Sequence, residues 1–347
     1  MTPPAPTSAP PAPEAPAAPP APRTDRSPTL ALLGGAGLLV VAAYLSLGLG
    51  VADLGVRDLL NPTPEQWDVL TISRIPRTAA VLLAGAALAV AGLVMQRITQ
   101  NRFVSPSTSG TVEAAVLGIL VATLLFGEAS LLVKMLIAIL TSIAGTLVFL
   151  QLLEKIRHRD PIVVALVGLM YGAVIGAVTT FIAYQRDLVQ YLDVWTTGSF
   201  SGILQGRYEP IYVVLAVGVL GYLWADRFTV VGMGRSMATN LGVNYRRTLY
   251  VGLVVVSVMA AVVVVVVGAI PFLGLIVPNV VTLLMGDNLR RVLPATALAG
   301  AGFVLLCDII GRTIVYPYEI PVATIAGAIG AVVFIGLILR AGRAGAR

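Results

Sequence analysis

The stretch GMGRSMATNLGVNYRR (232–247) runs straight into TLYVGLVVVSVMAAVVVVVVGAIPFLGLIVP (248–278). The second piece contains no Asp, Glu, Lys, Arg or His. About 20 apolar residues suffice for a helix to cross the hydrocarbon of a bilayer, so this run is too long and too uncharged for the core of a soluble domain. Gly268, Pro271, Gly274 and Pro278 interrupt it. Proline removes a backbone donor and glycine loosens a helix. The pattern predicts one complete span followed by a broken one. The first piece carries Arg235, Arg246 and Arg247 among turn-prone Gly and Asn residues, and reads as a polar loop, a handle on a membrane span.

The rest of the chain has the same character. Of its 347 residues 57% are hydrophobic and only 12% charged, against roughly 25% charged in soluble proteins. The mean hydropathy is +0.91. Such a chain cannot cover itself with a water-facing surface, so the expected class is an all-α membrane protein. Residues 1–27, nearly all Pro, Ala, Ser and Thr, bury nothing and read as a disordered tail; residues 28–347 form the membrane domain. Ten spans are expected, near 29–51, 78–97, 111–127, 130–153, 161–184, 208–226, 248–267, 271–286, 294–315 and 321–339. The run Val262–Val267 would favour a strand in water. In lipid an unpaired strand leaves its backbone unsatisfied, so it reads as helix.

An even number of spans places both termini on one side. Only seven of the 23 Lys and Arg residues (Arg57, Arg74, Arg77, Lys134, Arg186, Arg207 and Arg312) fall in the loops and span ends of the opposite side. Cytoplasmic loops carry the excess of basic residues, so both termini and 232–247 are expected inside. The net charge of +6 is then loop charge, with no call for nucleic acid. Gly85 and Gly92 share a helix face, and Gly168, Gly172 and Gly176 form a doubled GxxxG; small residues of this kind mark close helix packing.

Several chemistries are excluded. The only lysines, Lys134 and Lys155, follow Val133 and Glu154, whereas a phosphate-binding P-loop needs Lys after Gly. One histidine, His158, rules out an HExxH zinc site, and one cysteine, Cys307, rules out an internal disulfide. No catalytic residue, cofactor or metal site is expected. Ionisable groups inside the spans are Glu113, Asp308 and Arg312. Asp308 and Arg312 stand i,i+4 on one helix face and can pair. So few intramembrane charges argue against an ion-coupled secondary transporter, the alternative class.

With the spans in order, the chain resembles the FecCD family, the permeases of bacterial ABC importers for iron–siderophore complexes, heme and vitamin B12. The resemblance rests on RIPRT (74–78), GAALAVAGLVMQ (85–96), Trp195-x-x-Gly198, ATNLGV (238–243), GAIPFLGLIVPN (268–279), GDN (286–288) with Arg290 and Leu293–Pro294, and CDIIGR…EIPVA (307–323). It implies ten helices per subunit, a second permease subunit, two ATPase subunits and an external substrate-binding protein. It implies that Arg235, Ala238, Asn240, Leu241, Gly242 and Val243 form the ATPase-coupling region. By the same resemblance, Arg74, Arg77 and Arg312 meet acidic residues of the binding protein, with Thr71–Thr78 and Tyr316–Pro321 facing it. Gly268, Pro271, Gly274, Pro278 and Asn279 are the candidates for helix breaking and gating. The chain departs from the common pattern at Asn279, Thr282 and 101–115. These departures resemble a branch that handles catecholate-type siderophores, and point to an iron complex rather than vitamin B12.

Overall fold

In chain order the protein forms α1 (Pro28–Leu47), α2 (Pro64–Val69), α3 (Ile75–Ile98), α4 (Thr111–Phe126), α5 (Leu131–Lys155), α6 (Pro161–Gln185), α7 (Val189–Thr196), α8 (Val213–Leu223), α9 (Ala225–Gly232), α10 (Arg235–Asn240), α11 (Tyr245–Val266), α12 (Leu273–Met285), α13 (Leu289–Thr313) and α14 (Val322–Gly345). This computed structural model describes residues 28–50, 55, 57–128, 130–156 and 160–345, and among them there is no strand. The tail at 1–27 and His158 lie outside the described residues.

Ten of these helices (α1, α3–α6, α8 and α11–α14) coincide with the ten expected spans. Five stretches, Pro64–Ile98, Leu131–Lys155, Pro161–Gln185, Tyr245–Val266 and Leu289–Thr313, are each long and apolar enough to cross a bilayer alone. The sixth span is bent: α8 meets α9 at 60°. The β-branched run is helical through Val266, and Val262–Val265 are fully buried.

Two segments read as loops are in fact helical. Residues 64–77 continue into α3 as one 35-residue helix. It starts at a capping box, where Thr63 Oγ1 accepts from the Gln66 N–H and Gln66 Oε1 accepts from the Thr63 N–H. Pro76 has no N–H to offer the turn before it. A π turn at Leu70–Arg74 takes up the mismatch, and the Ile72 carbonyl accepts instead from the Gln205 N–H at 2.9 Å. The second segment, 232–247, folds as the end of α9, then α10, then the start of α11.

The hub of the bundle is α3, packed against α11, α12 and α13. Its small residues allow this. A Cβ on Gly85 would sit 2.5 Å from the Gly300 carbonyl of α13, and one on Gly92 would overlap the Gly274 carbonyl of α12. Both helices therefore approach α3 backbone to backbone. The Gly274 carbonyl is the one that Pro278 leaves without its helical donor. A second layer, α4 with α5 and α6, joins through α11. There Gly168 packs on the Thr108 carbonyl and Gly172 on Glu113, whereas Gly176 faces open space. Overpacking against unyielding backbone costs about 1–3 kcal/mol. Gly92→Ala is expected to lower the thermal midpoint of the purified permease accordingly, while Gly176→Ala leaves it unchanged or raises it.

Candidate functional site

The break after α11 is tightly held. Val267 and Gly268 donate to Val263 and Val264 at 2.8 and 2.9 Å, closing the helix. Gly268 (φ +97°) and Phe272 (φ +61°) then turn the chain through left-handed conformations. The irregular backbone between them is satisfied by the end of α7. Ala269 N–H donates to the Trp195 carbonyl (3.2 Å), Gly198 N–H to the Ala269 carbonyl (3.0 Å) and Ser199 N–H to the Val267 carbonyl (3.0 Å). Ala323 at the start of α14 donates to the Gly198 carbonyl at 3.0 Å. This explains the Trp-x-x-Gly spacing: a Cβ on Gly198 would stand 2.5 Å from the Ala269 carbonyl, and one on Gly268 2.9 Å from the Thr197 carbonyl. Beyond the break, Asn279 Nδ2 donates to the carbonyls of Arg102 (2.8 Å) and Leu275 (2.7 Å), tying α12 to the turn after α3.

At the end of the bundle away from α10, three arginines meet two acids. Arg77 donates to Asp308 Oδ1 through Nη2 at 2.8 Å, and grips both oxygens of Glu319 through Nη1 at 2.8 and 2.9 Å. Arg312 lies 2.7 Å from Asp308 Oδ2 and donates to the Ser46 and Leu49 carbonyls at 3.1 and 2.8 Å. Arg74 donates to the Leu49 carbonyl as well. The three arginines expected to meet the binding protein are therefore largely covered: Arg74 is 9% and Arg312 5% exposed, and the Arg77 side chain 11%. Pairing is the reason, because a cation without a carboxylate or carbonyl partner would not tolerate that burial. Ile320 N–H donates to the Gly311 carbonyl at 3.0 Å, closing the turn between α13 and α14 over this cluster.

At the opposite end, ATNLGV is a helix stop. Val243 N–H donates to the Ala238 carbonyl (2.9 Å) and Gly242 N–H to the Thr239 carbonyl (3.0 Å), with Gly242 at φ +72°. Those two bonds around a left-handed glycine make a Schellman cap. Ala238 is buried, while Arg235, Asn240 and Gly242 are exposed and Val243 half-buried. Leu241 at 59%, Met233 at 60% and Met237 at 47% exposure leave apolar surface on a short helix.

A sequence profile of the FecCD transport family matches residues 38–340. The chain belongs to the FecCD family. It is 45% identical over 303 residues to the petrobactin import system permease protein YclN of Bacillus subtilis (strain 168), a match spanning 87% of this chain and 96% of that protein. It is 42% identical over 280 residues to the ferric-anguibactin transport system permease protein FatD of Vibrio anguillarum (strain ATCC 68554 / 775), spanning 81% and 89%. Among solved structures, a metal-chelate type ABC transporter in an inward-facing conformation superposes with a TM-score of 0.77. It is 26% identical and covers 90% of this chain and 99% of that one. The chain is thus a membrane-embedded permease subunit of an ABC importer, not an ion-coupled transporter, and works with an ATPase and a substrate-binding protein.

Within this FecCD permease, a cavity of about 780 Å³ opens beside the helix break. Its walls combine Val265–Gly268 with Trp195, Thr197, Ser199 and Ser201, and two cations, Lys134 and Arg207, stand with Asp193 at its edge. Lys134 Nζ donates to the Tyr191 hydroxyl at 2.7 Å. Trp195 Nε1 is buried without a partner among the described residues. In the sequence Trp195 stands out only through the Trp-x-x-Gly spacing, and Lys134, Ser199 and Arg207 do not stand out as a set, since no motif links them. Glu113, singled out as an intramembrane acid, faces Gly172 of α6. Its Oε2 has no partner among the described residues. For the arginine cluster, removing one partner of a buried ion pair costs about 3–5 kcal/mol. Asp308→Asn is expected to lose stability toward the lower end of that range in detergent unfolding, because Glu319 still holds Arg77. Glu319→Gln, whose side chain is 29% exposed, is expected to cost far less.

Proposed function

We propose that this permease carries a ferric siderophore of the catecholate type across the cytoplasmic membrane. The relatives named for petrobactin and ferric-anguibactin support that cargo. So does the cavity beside the break, where two cations and several hydroxyls suit an oxygen-rich, anionic chelate. By the positive-inside rule, the excess of basic residues at the α10 end supports a cytoplasmic position for that end and for both termini. Two ATPase subunits then dock there, on Arg235, Ala238, Asn240, Leu241, Gly242 and Val243. A second permease subunit, identical or homologous, completes the path.

A single uninterrupted helix carries this reading. Starting five residues after Asn240, where the Asn244 side chain caps its first turn, α11 runs 22 residues to the cavity wall. At 1.5 Å per residue that is about 33 Å, the thickness of the hydrocarbon. ATP binding displaces α10, and α11 transmits the displacement to the break. The break, with Gly268, Pro271, Gly274, Pro278 and Asn279, moves as a rigid piece and opens or closes the cavity. The polypeptide shifts an equilibrium and makes no bonds.

The substrate-binding protein docks over 71–78 and the turn 316–321. Its acidic residues must compete with Glu319 for Arg77, while Arg74 and Arg312 hold the mouth in shape. Glu319→Gln is therefore expected to tighten binding of the purified binding protein to the reconstituted importer; unchanged affinity would remove Arg77 from the dock. The coupling reading is tested by Leu241→Asp. The permease is expected to insert and fold normally, yet lose both stimulated ATP hydrolysis and uptake. Normal stimulation in that variant would sink the assignment of α10.

A further inference from the structure

A groove between α8 and α11, at the same end as α10, has no role in the transport reading. It encloses about 580 Å³. One end of it is polar: Asn244, Arg246 and Arg247. The remainder is apolar, walled by Leu220, Tyr250, Val251 and Val254. From Asn244 to Val254 is ten residues of helix, about 15 Å, or half of a hydrocarbon core of about 30 Å. The groove thus starts at headgroup level and ends near the bilayer centre.

Of the two cations at its mouth, Arg247 is held without a carboxylate. The Arg247 guanidinium lies 5.6 Å from the centre of the Trp224 ring, and Arg227 stacks on the same ring at 4.3 Å. Among the described residues, Arg227, Arg246 and Arg247 make no salt bridge, and the nearby Asp226 is taken by Arg290 at 2.8 Å. Trp224 sits at the 60° bend between α8 and α9, where amphipathic rings mark the membrane–water boundary. Unpaired positive charge above, an apolar track of single-leaflet length below, and an aromatic rim between them match one kind of molecule. A soluble partner would have no use for the track, and a neutral lipid none for the arginines.

We propose that this groove binds one anionic glycerophospholipid of the adjacent leaflet, its phosphate on Arg246 and Arg247 and one acyl chain along Leu220, Val251 and Val254. The bound lipid would brace the bend of the sixth span against α11. Only the naming of the leaflet rests on the transport reading.

The test uses the assembled importer, delipidated in neutral detergent. It is titrated separately with phosphatidylglycerol, phosphatidylcholine and inorganic phosphate while the thermal midpoint is followed. Phosphatidylglycerol alone is expected to raise the midpoint. Arg246→Gln with Arg247→Gln is expected to weaken the apparent affinity about thirty-fold. Val251→Trp, which fills the track and keeps both cations, is expected to abolish the shift. An equal shift from inorganic phosphate would make this a free anion site and overturn the proposal. So would an unaltered lipid response in both variants, or loss of the ATPase from the double variant with the lipid response intact. If neither variant folds, retention of phosphatidylglycerol over phosphatidylcholine by the unsubstituted importer decides: equal retention overturns the proposal.

Discussion

Hydrocarbon offers no hydrogen bonds, so every backbone N–H and C=O that leaves a helix inside the bilayer needs a partner from the protein. That constraint governs the four residues between Val266 and Pro271 and, through them, the rest of the bundle. Gly198, Ser199, Ala269 and Ala323 supply the missing partners, with N–H to carbonyl distances of 3.0–3.2 Å. In doing so they bind α7, α11, α12 and α14 to one another. A looser connection would leave polar groups stranded at several kcal/mol each.

The same physics recurs at Pro76 and Pro278. Pro76 releases the Ile72 carbonyl, which the Gln205 N–H takes up. Pro278 releases the Gly274 carbonyl, which is directed at the Cα of Gly92. In each case distant backbone meets the defect, and at Gly92 only glycine leaves room for it. The arginine cluster follows a related rule for charge: with two carboxylates and backbone carbonyls around them, three guanidinium groups are carried inside the fold.

Much of this was legible in the sequence. Hydropathy marks all ten spans because a bilayer demands long apolar runs, and the Gly/Pro punctuation marks the break because those residues act locally. Short helices were not legible. The hydrophobic period of α10 is too brief to register, and it is defined by left-handed Gly234 and Gly242 at its two ends. The orientation of Arg77 and Arg312 was not legible either. Their partners Asp308, Glu319, Ser46 and Leu49 include residues more than 230 positions away, and only the i,i+4 pair of Asp308 and Arg312 could be foreseen. The cavity cations share that difficulty, since Lys134 and Arg207 come from separate parts of the chain.

The central claim is that the helix break is a rigid joint, moved as a unit by α11, and not a hinge. Hydrogen–deuterium exchange at the amides of Gly198, Ser199, Ala269 and Ala323, with and without ATP on the assembled importer, tests it directly. The account predicts protection in both states comparable to that of amides inside α11. Loss of protection at these four positions in either state would show that the pairing opens during the cycle, and would contradict it.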